Sequence, residues 1–417
     1  MKTAASWRER GTPAALWAIA SVMRWFSIQQ PIGDEAATFL NFIEPGFWVA
    51  VSNDAGPSNH LAFSALAAIA YAPFKSIVPV YILVCALAGL GAPGIFLLCR
   101  RINLPVVTAL CAVILYILHP AAVDLGSQLR GYTIVLGIAP WIWLLALELR
   151  SDKAGLMQRV AFVGASVLCI SAHLVSGGIA FISTLIVFAA DKARFRQHAL
   201  CVAATALGVV VLHLGVLDSF LNYASTSSHE SKYLPVQWQL TFGFFLGSNA
   251  GWSFVVGALL TIAGSAAFVR NRRSFVGLAL ATPTVCALLA FAILERFSFA
   301  RFFCTGIVPL LILWSASACL APKRFRVFAS VAVLGLCLAM FGNSIKQEFN
   351  RFNTGAELAR EVRQSGMPVA VAGRFYPLIR FYIPEATVIS HKAPIPASGL
   401  VIFDTRDRKW KAAKRCL

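Results

Sequence analysis

Long apolar runs, separated by short polar or basic stretches, cover the chain up to about residue 345. The first runs from Ala14 to Ile28, behind a basic start with Lys2, Arg8 and Arg10, and Arg24 lies close enough to its far end to snorkel toward water. Further runs lie at about Ile77–Leu98, Leu104–Leu118, Tyr132–Leu147, Val160–Val175, Ala199–Val216, Phe275–Leu294 and Val327–Ser344. Others return to Asp191 and end near Val269 and Leu320. These runs suit the thickness of a bilayer and predict about eleven transmembrane helices. Lys and Arg gather at alternate connections, such as Arg100–Arg101, Arg150–Lys153, Arg270–Arg273 and Lys323–Arg326. The positive-inside rule places those connections, and the N-terminus, in the cytoplasm.

Between the first two runs lies an outer loop, residues 29–76, with its own periodicity. Ala36, Phe39, Leu40, Ile43 and Phe47 recur at helical spacing, with Asp34, Thr38, Asn41 and Glu44 opposite. That pattern predicts a helix lying on the bilayer surface, apolar side down, entered through a turn at Pro31 and Gly33. A second surface helix starts near His60, capped by Ser58 or Asn59. Farther on, Ser176-Gly177-Gly178 reads as a tight outer turn after His173. Past Lys346 the apolar runs stop. A helix at Gly355–Gln364 and short strands at Val369–Ala372, Ala386–Ile389 and Leu400–Phe403 predict a different unit. The expected fold is an all-α polytopic membrane protein of about eleven transmembrane helices with outer-face amphipathic helices, plus a small C-terminal α/β domain. The domains are residues 1–345 and 346–417. An odd span count puts the second on the outer side, an even count in the cytoplasm.

Composition narrows the class. The chain of 417 residues is 58% hydrophobic and only 13% charged, as expected of a multi-pass protein of the inner or plasma membrane. No removable signal peptide stands out. The net charge of +18 comes from cations that punctuate apolar runs. It therefore points to anionic membrane lipids, with a share left for anionic substrates, and away from nucleic acid. Most of the 10 cysteines sit inside apolar runs and none forms a CxxC pair, so they read as small buried residues. The histidines show no metal-ligand spacing, and neither a phosphate-binding Walker loop nor a GxSxG elbow occurs. No cofactor is expected; a divalent cation finds no support in the sequence.

Polar groups at the outer face form three clusters. The first is the adjacent pair Asp34–Glu35, which either serves chemistry or merely charges the start of a surface helix. The second is Asp124, Gln128, Arg130, Gly131 and Tyr132. There Arg130 either holds a phosphate oxygen or an acidic partner through its fork of donors, or anchors a helix end in lipid headgroups. The third is Glu295, Arg296 and Arg301, suited to neutralising a lipid phosphate or to a local salt bridge. His173 is a cavity residue or a packing histidine, and Asn59 and His60 are binding groups or helix caps.

Gly33-Asp34-Glu35-Ala36 after one apolar run resembles the first outer loop of GT-C membrane glycosyltransferases, in the branch of protein mannosyltransferases and aminoarabinose transferases. Ser127-Gln128-Leu129-Arg130-Gly131-Tyr132 is similar to an Arg-x-Tyr element of their second outer loop, and Arg301-Phe302-Phe303 to a later Arg-Tyr element. Asn59-His60-Leu61 stands where many members carry Lys/His-Pro-Pro-Leu, but lacks the prolines and the lysine. The resemblance implies transfer of a sugar from a polyprenyl-phosphate donor to a lipid, glycan or protein acceptor at the outer face. It implies Asp34 as base with Glu35 orienting. Asn59, His60, Asp124, Arg130, Tyr132, His173, Arg296 and Arg301 are the candidate substrate-binding residues. Two other readings stand beside it. One is a flippase or transporter of lipid-linked sugars, which predicts repeat-related broken helices; the other is an oligosaccharide ligase or polymerase.

Overall fold

The computed structural model describes residues 7–28, 31, 33–52, 59–217, 243–248, 250–270, 300–349, 370–372, 380–381, 387–389, 401–404 and 411–414. Helix α1 is Trp7–Phe26, and the outer loop holds α2 (Gly33–Thr38), α3 (Phe47–Ser52) and α4 (Leu61–Tyr71). Then come α5 (Val78–Gly89), α6 (Gly91–Arg101), α7 (Val106–Leu118), α8 (Pro120–Ser127) and α9 (Tyr132–Glu148). They are followed by α10 (Leu156–Ala172), α11 (Leu174–Ala189) and α12 (Phe195–His213). The later helices are α13 (Gly251–Arg270), α14 (Ile307–Ser317) and α15 (Arg326–Phe349).

The expected span count does not hold. Among the described residues, five helical stretches are long and apolar enough to cross a membrane: Val78–Arg101, Lys192–Val216, Gly251–Arg270, Arg301–Leu320 and Lys323–Gly342. The pair α7–α8, bent by 59°, makes a sixth if it is one span. Helices α9, α10 and α11 are apolar but only 17, 17 and 16 residues long. At 1.5 Å per residue they reach about 26 Å, short of a ~30 Å hydrocarbon core. Hydropathy reports apolar runs but not where a helix breaks, which is how the count came out high. The break after α10 falls at His173, whose backbone is extended, whereas Gly177 and Gly178 lie inside α11. A Cβ on Gly177 would stand 2.3 Å from the Cys169 carbonyl oxygen, so this glycine serves close packing of α10 on α11 and not a turn. The predicted span at Phe275–Leu294 lies outside the described residues.

The α7–α8 bend has a specific support. Pro120 has no N–H to give the Tyr116 carbonyl, and the bend removes the next bond in the ladder. Arg24 replaces both donors: Nη2 donates to Tyr116 O and Nη1 to Ile117 O, each at 3.1 Å. The side chain does not snorkel; Arg24 is 1% exposed and lies over the Tyr116 ring. This anchors the short α8, whose end carries residues 128–131.

The outer loop also departs from expectation. In place of one continuous helix there is α2, a π-helical turn at Phe39–Ile43, and α3. Its apolar side packs on protein: Phe39, Phe42 and Ile43 are buried, and Phe39 meets Tyr71 of α4 edge-on at 5.2 Å. Thr38, expected on the polar face, is buried and donates to the Asp34 carbonyl at 2.9 Å. His60 and not Asn59 stands at the N-cap of α4, with no side-chain cap bond, and Ser58 lies outside the described residues.

The expected C-terminal α/β domain is not found. The described residues beyond 349 are four strands of three or four residues, in two separate pairs, and the two helical residues Arg380 and Phe381. Ala370–Ala372 runs parallel to Thr387–Ile389, and Val401–Asp404 antiparallel to Lys411–Lys414. The two pairs do not hydrogen-bond into one sheet. The helix expected at Gly355–Gln364 lies outside the described residues. The protein is an all-α polytopic membrane protein with about five, at most six, long apolar helices among the described residues. Phe381 packs edge-on against Phe39 at 5.3 Å, which ties the C-terminal part to the outer loop.

Candidate active site

Asp34 sits in the first turn of α2. Its Oδ2 accepts from Arg130 Nη1 at 2.8 Å and from Arg301 Nη2 at 3.1 Å. The three residues come from the first outer loop, the turn after α8, and the 3-10 stretch Ala300–Gly306 that leads into α14. The Asp34 side chain is 53% exposed, Arg301 31% and Arg130 only 6%. One carboxylate thus faces solvent with a cation on either side. Both guanidiniums engage the same oxygen, Oδ2.

Glu35 turns the other way. It is buried, and its Oε1 accepts the Leu129 backbone N–H at 2.8 Å, so it fastens the turn before Arg130 to α2. This differs from orienting Asp34 or an acceptor. Adjacent helical residues diverge by about 100°, so one faces the rim while the other enters the protein.

Behind Arg130 lies a buried polar and aromatic group. Arg130 Nε donates to His60 Nε2 at 2.9 Å, and His60 Nδ1 meets the Ala172 carbonyl at 3.0 Å. A carbonyl can only accept, so Nδ1 carries the proton and Nε2 is the acceptor. Burial, reinforced by the Arg130 charge, holds the His60 pKa well below the ordinary histidine value. His60 stacks on His173 at 5.4 Å and tilts against Tyr132, and the Arg130 guanidinium stands 5.4 Å from the Tyr132 ring centre. His173 Nδ1 accepts from Ser176 N at 3.1 Å, so it caps α11. Gly131 is dictated by crowding: a Cβ there would lie 1.9 Å from the Ala172 oxygen.

The structure therefore brings Asp34, Arg130 and Arg301 into one contact, with His60, Tyr132 and His173 packed behind. Asn59 instead donates to the Ala50 carbonyl at 2.9 Å, tying α4 to α3. Asp124 is half-buried on α8. Arg296 lies outside the described residues. Sequence reasoning missed Ala172, whose backbone oxygen is what matters, and the elbow-holding role of Arg24. An arginine inside the first apolar run was the only signal for the latter. No group of three His, Cys, Asp or Glu side chains suited to a metal gathers among the described residues.

No protein-family profile and no curated protein matches the chain. Solved structures do. ArnT from Cupriavidus metallidurans, in a crystal structure bound to undecaprenyl phosphate, superposes with a TM-score of 0.60 at 14% identity, over 92% of this chain and 86% of that one. The oligosaccharyltransferase AglB from Archaeoglobus fulgidus, in complex with an inhibitory peptide and a dolichol-phosphate, superposes with a TM-score of 0.57 at 13% identity. That match takes in 93% of this chain and 65% of AglB, so the chain spans under two thirds of the archaeal enzyme's length. The chain shares the fold of these two solved structures.

Proposed function

We propose that this chain is a membrane glycosyltransferase that moves a sugar from a polyprenyl-phosphate donor to an acceptor hydroxyl at the outer face of the membrane. The supporting observation is the rim carboxylate of Asp34 held between Arg130 and Arg301. Sugar transfer from a lipid phosphate needs a base for the acceptor and cations for the leaving phosphate. Two proteins of the same fold are named with a polyprenyl-type phosphate bound, ArnT with undecaprenyl phosphate and AglB with a dolichol-phosphate.

In this reading the acceptor oxygen attacks the anomeric carbon as Asp34 takes its proton. The bond from that carbon to the phosphate oxygen breaks, and its electron pair leaves with the polyprenyl phosphate. Arg130 and Arg301 meet the charge that develops there, through forked donors matched to phosphate. The acceptor is a lipid, a glycan or a protein. The prenyl tail stays among lipid chains, consistent with the apolar surfaces of α12 and α15. The packing of Phe381 on Phe39 supports an outer-side location for the C-terminal part, residues 346–417.

One observation favours a second reading. The broken pair α7–α8 is the kind of interruption that a lipid-linked-sugar carrier uses, although a carrier fold pairs such breaks by internal repeat. The purified full chain in liposomes, given a radiolabelled polyprenyl-phosphate sugar and extracted envelope acceptors, separates the two. A labelled product larger than the donor is expected. Movement of the donor across the bilayer without any product would establish the carrier instead.

A further inference from the structure

The geometry points to His60 as a positioning residue that acts on the donor phosphate only through Arg130, by holding the guanidinium in one plane. This rests on the functional reading above and concerns the same site.

A guanidinium is planar, so two fixed N–H directions fix the whole group. Arg130 has both: Nη1 to Asp34 Oδ2 at 2.8 Å and Nε to His60 Nε2 at 2.9 Å. His60 can serve as that second anchor because its own ring is fixed from behind. Nδ1 is bonded to the Ala172 carbonyl, one face stacks on His173, and the residue is 6% exposed. The Ala172 oxygen is in turn pressed against Gly131, where no side chain fits. Backbone oxygen, imidazole and guanidinium thus form one line, ending at the rim. Both ring nitrogens of His60 are taken by protein partners, so none is left to reach a phosphate. A buried neutral imidazole is also the wrong charge for that contact. The polar atoms of His60 thus serve the neighbouring arginine and the α10 backbone.

The test is a mutant cycle read on binding of a short-chain polyprenyl phosphate to the full chain in detergent, with thermal midpoints as the control for folding. His60→Ala is expected to weaken binding about tenfold, within the usual range of coupling between contacting groups. His60→Gln, whose amide offers one acceptor and one donor, is expected to recover most of the loss. In an Arg130→Ala background, His60→Ala is expected to add less than about twofold, because its only route to the phosphate is gone. An equal loss in both backgrounds would mean that His60 meets the donor itself, and overturns the proposal. Full affinity in both His60 variants overturns it as well, while a large Arg130→Ala effect would leave the functional reading standing. Unchanged affinity in Arg130→Ala sinks that reading and this proposal together. If His60→Ala does not fold, His60→Phe, which keeps a packed ring and removes the acceptor, takes its place in the cycle. There, an equal loss in both backgrounds overturns the proposal, and a loss that vanishes in the Arg130→Ala background supports it.

Discussion

Two clusters of aspartate and arginine lie at opposite ends of α11, and they are built in opposite ways. At the N-terminal end of α11, which we call the rim, one carboxylate, Asp34, takes two arginines. At the other end one arginine, Arg194, takes two carboxylates, Asp152 and Asp191, while His198 adds a bond to Asp191 at 3.1 Å. The inner partners Asp191 and Arg194 are three residues apart, and Asp191 is 7% exposed. His198 is stacked on Phe188 at 4.3 Å. The rim partners are 96 and 267 residues from Asp34, which is 53% exposed. Within the inner cluster the Asp191–Arg194–His198 part is local and largely buried, as a structural latch between α11 and α12 should be, while Asp152, 42 residues from Arg194, is 95% exposed. The rim cluster gathers distant parts of the chain around an open carboxylate with excess positive charge. A salt bridge that only stabilises has no need of such an arrangement, and buried or exposed pairs add little net stability in any case.

The sharpest way to break this contrast is to remove one arginine from each end. Arg130→Ala is expected to reduce sugar transfer by about 10²–10³, the usual cost of one donor at a developing charge. Arg194→Ala is expected to lower the thermal midpoint and leave turnover within about twofold. Equal turnover losses would erase the distinction between the two ends.

A smaller effect separates the clusters by pH. Folded His60 resists protonation because it is buried beside Arg130, whereas unfolded His60 takes a proton near the ordinary value of about 6.5. The unfolded state therefore gains protons first, and the His60 contribution to stability falls as pH drops below about 6.5. Asp191 behaves differently. Burial raises its carboxyl pKa, but bonds from His198 and Arg194 outweigh this and hold it below the usual value. Its contribution stays whole until pH falls below about 4. Thermal midpoints across pH 3.5–8 are thus expected to decline in two stages. In His60→Gln the earlier stage should shrink and the later one stay, because buried His173, whose pKa is likewise lowered, to about 3, keeps part of the earlier stage.

How much of this was legible in the sequence depends on how local each signal is. Asp34, Arg130 and Arg301 stood out through the short stretches Gly33–Ala36, Ser127–Tyr132 and Arg301–Phe303, which resemble family motifs. Their convergence was not visible, since no periodicity links positions so far apart. Glu35 shared the acidic signal, but one helical step sends it inward to Leu129 N. His60 looked like a surface cap or ligand; only the approach of α10 shows that Ala172 holds its ring. Apolar runs located the helices but overstated the spans, because an extended residue such as His173 ends a helix without changing hydropathy. The α7–α8 bend was half legible: Pro120 marks the break, but the arginine that repairs it comes from α1.

The central claim is that Asp34 acts on the acceptor and not on holding the donor or the fold. Its direct test is Asp34→Asn in the purified full chain, with transfer and polyprenyl-phosphate binding measured on the same preparation. Loss of a general base removes about 10²–10⁴ in rate. The expected result is turnover down at least about a hundredfold, with donor affinity held or improved, since the amide no longer competes for the two arginines. Turnover near the unmutated value, with Arg130 still paired to residue 34, would contradict the account.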